Sequence, residues 1–179
     1  LIIGFVANLI MSALQFGGML MDTQAGLSSA SILDPTSGQN AALIEILMKY
    51  IAVLLFLLMN GHHMVLAALY ESFSIIPLGE AVDFSEGSKF LFSLGTDLFR
   101  IGLNLAAPII LVIFLVDFCF GILNKVAEQI NVFQLGFQIK PIVSVLIFLG
   151  ITPGVVFVVI RILEQIMDNI IKVLGLLTT

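Results

Sequence analysis

Charge is what this chain has least of. Charged side chains make up 11% of its 179 residues, where an ordinary soluble domain carries about 25%. So few charges cannot cover a soluble surface, so much of this one must face lipid or protein. The seven basic residues are scattered and the formal net charge is −5, which leaves no positive footprint for nucleic acid. Cysteine is nearly absent: Cys119 stands alone in an apolar run. That excludes an internal disulfide and predicts a small buried hydrophobe. His62 and His63 have no cysteine or second histidine cluster to complete a zinc site, and adjacent positions lie on different faces of a helix. No Ser/His/Asp constellation, P-loop, GxGxxG, HExxH or cysteine metal motif occurs. The expectation is a protein without catalysis, cofactor or metal, with no energy-transducing module of its own.

What is present is grease. Apolar residues make up 60% of the chain and the mean hydropathy is +1.18. Sustained period-2 alternation is missing, so the fold class is all-α and membrane-associated. Four runs without charge approach the roughly 17–25 residues of a bilayer span: Leu1–Met21, Tyr50–Tyr70, Ile101–Val116 and Pro141–Ile160. Polar stretches separate them at Ser28–Asn40, Pro77–Gly95 and Asn124–Lys140. The chain opens at Leu1-Ile2-Ile3-Gly4, inside an apolar run and without methionine. It lacks the basic region and small-residue cleavage site of a signal peptide, and the expectation is that further helices precede it.

The apolar runs carry polar seams. At 100° per residue, Gly4, Asn8, Ser12, Gln15, Asp22 and Gly26 fall on one narrow stripe of the first helix. Small and polar residues on one face favour close helix packing, within the chain or between subunits. Near the start of the second helix, ahead of the second run, Glu45 and Lys49 have favourable i,i+4 spacing, and further along Asn60-Gly61 predicts a local kink. Asp117 follows directly on the third apolar run, embedded in Val116-Asp117-Phe118. A charge at a helix centre costs about 2.5–3.5 kcal/mol, so it is expected to be paired, neutral or away from the bilayer centre, with an ion pair favoured over a proton relay. The fourth run is interrupted by Gly150-Ile151-Thr152-Pro153-Gly154. That is helix-breaking chemistry, and it predicts a hairpin with its tip at Gly150, Thr152, Pro153 and Gly154. Beyond it, Arg161, Glu164, Gln165, Asp168, Asn169 and Lys172 share one arc of an amphipathic last helix. The segment before the second run contains Asp34-Pro35, which leaves helical geometry, and Ser37 or Asn40 is placed to cap the second helix. By its composition it is a solvent connector, or a turn satisfied by protein if it lies at membrane depth.

A set of strings in register resembles the FliR-type export-gate family. They are Met21-Asp22-Thr23-Gln24-Ala25-Gly26-Leu27-Ser28, the Asp34-Pro35 turn, Asn60-Gly61-His62-His63, Ile76-Pro77-Leu78-Gly79, and Ile130-Asn131-Val132-Phe133-Gln134-Leu135-Gly136-Phe137 with Lys140. Each is weak alone; together they cover nearly the whole chain. The Asn-Gly-His-His string is closer to the flagellar than to the injectisome branch. Gln138 stands where the family often has proline, with Pro141 following Lys140.

The resemblance implies a single FliR-type unit over residues 1–179, with a FliP-like part at 1–123 and a FliQ-like hairpin at 124–179. It implies assembly with several copies of FliP and FliQ, and association with FlhB, into a helical export gate. That gate passes unfolded flagellar proteins across the bacterial inner membrane at the basal body, in contact with membrane lipid. It also implies a channel plug loop, matched here by Ile32, Leu33, Asp34, Pro35, Thr36, Ser37, Gly38, Gln39 and Asn40. An injectisome gate subunit is the alternative. A stand-alone secondary transporter using Asp22, Asp117 and His63 as an ion path is another, although the paired broken-helix repeat of such transporters is missing.

Overall fold

The computed structural model describes residues 2–27, 42–75, 84–127, 129 and 131–176. Five helices account for nearly all of them: α1 (Ile2–Ala25), α2 (Leu43–Leu58), α3 (Gly61–Ile75), α4 (Phe84–Val126) and α5 (Val132–Leu176). The all-α expectation holds, with no strand among the described residues.

The ends of these helices reflect local chemistry. Gly26 takes φ +75°, the left-handed conformation that glycine adopts without a Cβ penalty. Its N–H donates to the Thr23 carbonyl at 3.2 Å, and the Leu27 N–H donates to the Asp22 carbonyl at 3.1 Å. This pair of bonds is the Schellman arrangement, which satisfies carbonyls left free at a helix end. Asn60 ends α2 in the same left-handed region, at φ 57°, where asparagine is better tolerated than most side chains. The chain then bends by 66° into α3, so the kink expected at Asn60-Gly61 is present. A side chain at position 61 would overlap the Phe56 ring, so glycine is needed on the inside of this bend. Asn131 starts α5: its Oδ1 accepts the Gln134 N–H at 3.2 Å, as an N-cap should.

α1 lies at the centre and packs against α2, α4 and α5. Its side chains Val6, Ile10, Leu14 and Met21 are buried against a core that includes Ile44, Met48, Ile109, Ile113 and Val159. Lipid tails are as apolar as leucine, so in a membrane such a core is held by close packing rather than by transfer from water. α4 and α5 form a long antiparallel hairpin. Asp117 pairs with Lys140 near its turn, and at its far end the Lys172 ammonium lies 4.9 Å from the Phe90 ring centroid. With 43 and 45 residues, each arm is roughly 65 Å long, about twice a bilayer's hydrocarbon thickness. α1, α4 and α5 are each long and apolar enough to cross a membrane, and the bent α2–α3 pair passes the same test as a unit.

The hairpin tip expected at Gly150, Thr152, Pro153 and Gly154 is not there. α5 runs through these residues, and through Pro141, without ending. Phe148, Val155, Val159 and Ile162 make a continuous buried stripe, while Gly150, Pro153 and Gly154 lie on the exposed side. Thr152 Oγ1 donates to the Phe148 carbonyl at 2.7 Å, so its hydroxyl is satisfied within α5 itself. The antiparallel arms are instead α4, which ends at Val126, and α5, which starts at Val132, so the boundary expected at 123/124 falls within the last turn of α4. Helix also extends into two stretches expected to be polar connections, beginning at Phe84 and Val132. Cys119, expected to be buried, is exposed on α4.

Candidate subunit interface and helix junction

The stripe on α1 divides in two. Gly4, Asn8 and Ser12 are exposed and Gln15 is half-buried. A Cβ added at Gly4 would have nothing within 4 Å. This end of the stripe is therefore not an internal packing face of the described chain. Asp22, further along, is 1% exposed. Its Oδ1 accepts the Ile44 N–H at 3.0 Å and its Oδ2 accepts the Glu45 N–H at 2.8 Å. The first residues of a helix carry N–H groups with no partner inside it, and a carboxylate there meets the positive end of the helix dipole. Ala42, the residue at the N-cap of α2, supplies no side-chain hydrogen bond, so Asp22 caps α2 from another helix. Gly26 is half-buried in the cap of α1.

The closest internal crossings use glycines that the stripe did not include. A Cβ on Gly18 would lie 2.6 Å from Glu45 Cα, and one on Gly102 would lie 2.8 Å from the Ala13 carbonyl oxygen. One on Gly17 would lie 3.0 Å from the Gly102 carbonyl oxygen. Adjacent Gly17 and Gly18 thus let α1 approach α4 on one side and α2 on the other. Ala13 and Gly17 are spaced as a small-xxx-small motif, a signal that was legible in the sequence and that the polar stripe obscured.

Of the alternatives open to Asp117, the structure shows pairing, with Lys140 on the facing arm of the hairpin. Both stand at one end of the charge-free runs of α4 and α5. Beside them a groove of about 590 Å³ lies between the end of α1 and the hairpin turn, lined in part by Gln24, Asn124, Asn131, Phe133 and Phe137. No sequence pattern marked this groove, because it depends on the register of two helices. His62 and His63 lie on the first turn of α3 with ring centroids 4.3 Å apart; His62 is half-buried and His63 exposed.

On the last part of α5, Arg161, Glu164, Gln165 and Lys172 are exposed and Asn169 is half-buried. Ile162, Leu163, Ile170 and Val173 are buried on the opposite face. The Arg161 guanidinium lies 5.0 Å from the Phe157 ring centroid, within cation–π range. The side chain of Asp168, the candidate plug residues Ile32–Asn40 and the Ile76–Gly79 string lie outside the described residues.

The profile of a known family, "Bacterial export proteins, family 1", matches residues 1–166. The chain is 32% identical to the flagellar biosynthetic protein FliR of Bacillus subtilis over 182 residues, covering 98% of this chain and 70% of the relative. It is 30% identical to FliR of Escherichia coli, covering 84% of this chain and 58% of the relative. The secretion system apparatus protein SsaT of Salmonella typhimurium is 28% identical, covering 82% of this chain and 57% of the relative. The chain thus spans between about half and three quarters of the length of these relatives. With a match across most of its length and an all-helical, strongly apolar fold, the chain belongs to the bacterial export proteins, family 1, the family of the flagellar FliR proteins.

Proposed function

We propose that this chain is a non-catalytic core subunit of the flagellar type III export gate. It assembles with copies of FliP and FliQ, works beside FlhB, and helps pass unfolded flagellar proteins across the inner membrane. The observation that carries this reading is the set of exposed polar seams on helices that are otherwise apolar. Asn8 and Ser12 on α1, and Arg161, Glu164 and Gln165 on α5, are exposed. Seams of this kind are unfavourable against lipid and suit neighbouring subunits or a wet interior. Hairpin arms roughly 65 Å long also exceed what one bilayer crossing needs. Four flagellar relatives at 30–33% identity, against 28% for the injectisome proteins, support the flagellar branch, while a fifth flagellar relative stands at 25%.

A stand-alone transporter is less well supported. Asp22 is occupied by two backbone N–H groups and Asp117 by Lys140, so neither carboxylate is spare for an ion path.

In this reading Ile32–Asn40 forms the plug of the channel. Deleting Ser37–Gln39 is expected to raise ion conductance through the closed gate while the complex still assembles. Unchanged conductance in an assembled mutant would remove the plug from the account. Asn8→Leu combined with Gln15→Leu is expected to weaken assembly modestly, because interhelical hydrogen bonds in membranes average about 0.6 kcal/mol each. A complex of undiminished stability in detergent would show that this face meets no subunit.

A further inference from the structure

Asp22 does more than its place on the α1 stripe suggests. Its buried carboxylate accepts two N–H groups from the first turn of α2. One turn earlier on the same face, Gly18 lets the backbone of Glu45 come so close that a Cβ would sit 2.6 Å from its Cα. The end of α1 and the start of α2 are thus held together at two points four residues apart. A serine or aspartate at position 42 would cap α2 locally without burying a charge, and burying a carboxylate carries a desolvation cost. The remote cap is the more demanding arrangement, and what it adds over a local one is a fixed position of one helix on the other.

We propose that Asp22 is a positioning residue of the gate: it tethers the first turn of α2 to the last turn of α1. The chain leaves α1 after Leu27 and returns at Ala42, so the tether sets both ends of the connection between them at one place. The consequence for gating rests on the assignment of Ile32–Asn40 as the plug; the tether itself does not.

The test uses the purified full-length complex. Spin labels at Thr23→Cys and Leu43→Cys, both exposed positions, in a Cys119→Ser background report the α1–α2 distance. Ion conductance of the closed gate is read in parallel on unlabelled protein. Asp22→Ala is expected to broaden the distance distribution and to raise conductance several-fold. Asp22→Asn, which keeps one acceptor oxygen, is expected to be intermediate, and it carries the comparison if the alanine variant does not assemble. Adding Ala42→Ser to Asp22→Ala supplies a local cap. It is expected to recover the melting temperature but neither the narrow distance nor the low conductance.

A distance distribution unchanged in Asp22→Ala overturns the tether. Full recovery of distance and tightness by Ala42→Ser reduces Asp22 to a cap and overturns the positioning role. So does a tight Asp22→Ala gate under conditions where the Ser37–Gln39 deletion leaks. If that deletion does not leak, the plug reading fails and the gating consequence fails with it, while the distance measurement still decides the tether.

Discussion

Gly18→Val is expected to abolish accumulation of folded protein in the membrane. The added Cβ would fall 2.6 Å from Glu45 Cα and 3.1 Å from its backbone nitrogen. Both are backbone atoms, so no rotamer change relieves the overlap, and α2 must move away from α1. That movement breaks the contact that brings Asp22 to the α2 N-terminus. Substitutions that combine overpacking with loss of a buried polar contact reach the exceptional range above about 4–5 kcal/mol. Gly102→Val attacks the other crossing, where a Cβ would meet the Ala13 carbonyl oxygen at 2.8 Å and the Phe16 ring at 2.9 Å. Gly4→Ala is the control, since nothing lies within 4 Å of its added Cβ. Immunoblotting of membrane fractions and protease resistance give the readout. Gly18→Val protein as abundant and as protease-resistant as Gly4→Ala would mean that α1 and α2 do not cross as described.

Asp117→Leu is expected to destabilise the α4–α5 hairpin by about 1 kcal/mol, the scale of a partly exposed ion pair at a helix end. The loss comes from leaving Lys140 without its partner. The double variant Asp117→Leu with Lys140→Leu is therefore expected to recover most of the stability, because both charges leave together. Thermal unfolding in detergent separates the cases. A double variant as unstable as the sum of the two singles would show that these residues act independently. That outcome would also contradict the register in which α4 and α5 face each other.

How much of this was legible in the sequence depended on whether the controlling chemistry was local. The kink at Asn60-Gly61 and the amphipathic face from Arg161 to Lys172 are set by residues within a turn or two, and the sequence marked both. The expectation of an ion pair at Asp117 came from the cost of its charge, but the identity of Lys140 required the hairpin register. Gly150–Gly154 misled because glycine and proline break helices where water can satisfy the freed backbone. On the outward side of an apolar helix packed through Phe148, Val155 and Val159, leaving the helix would strand backbone groups, so it continues. Asp22 sat on the predicted stripe for a reason the pattern could not reveal: its partners, Ile44 and Glu45, are more than twenty residues away. The groove beside Lys140 was invisible for the same reason.

Isolation of the tagged full-length protein from native membranes, with identification and counting of what comes with it, tests the central claim most directly. The account predicts a stable complex that contains FliP and FliQ, each in several copies, with the α1 and α5 seams shielded from labelling. A monomer surrounded by lipid, whose seams at Asn8, Ser12 and Glu164 label freely in the membrane, would contradict it.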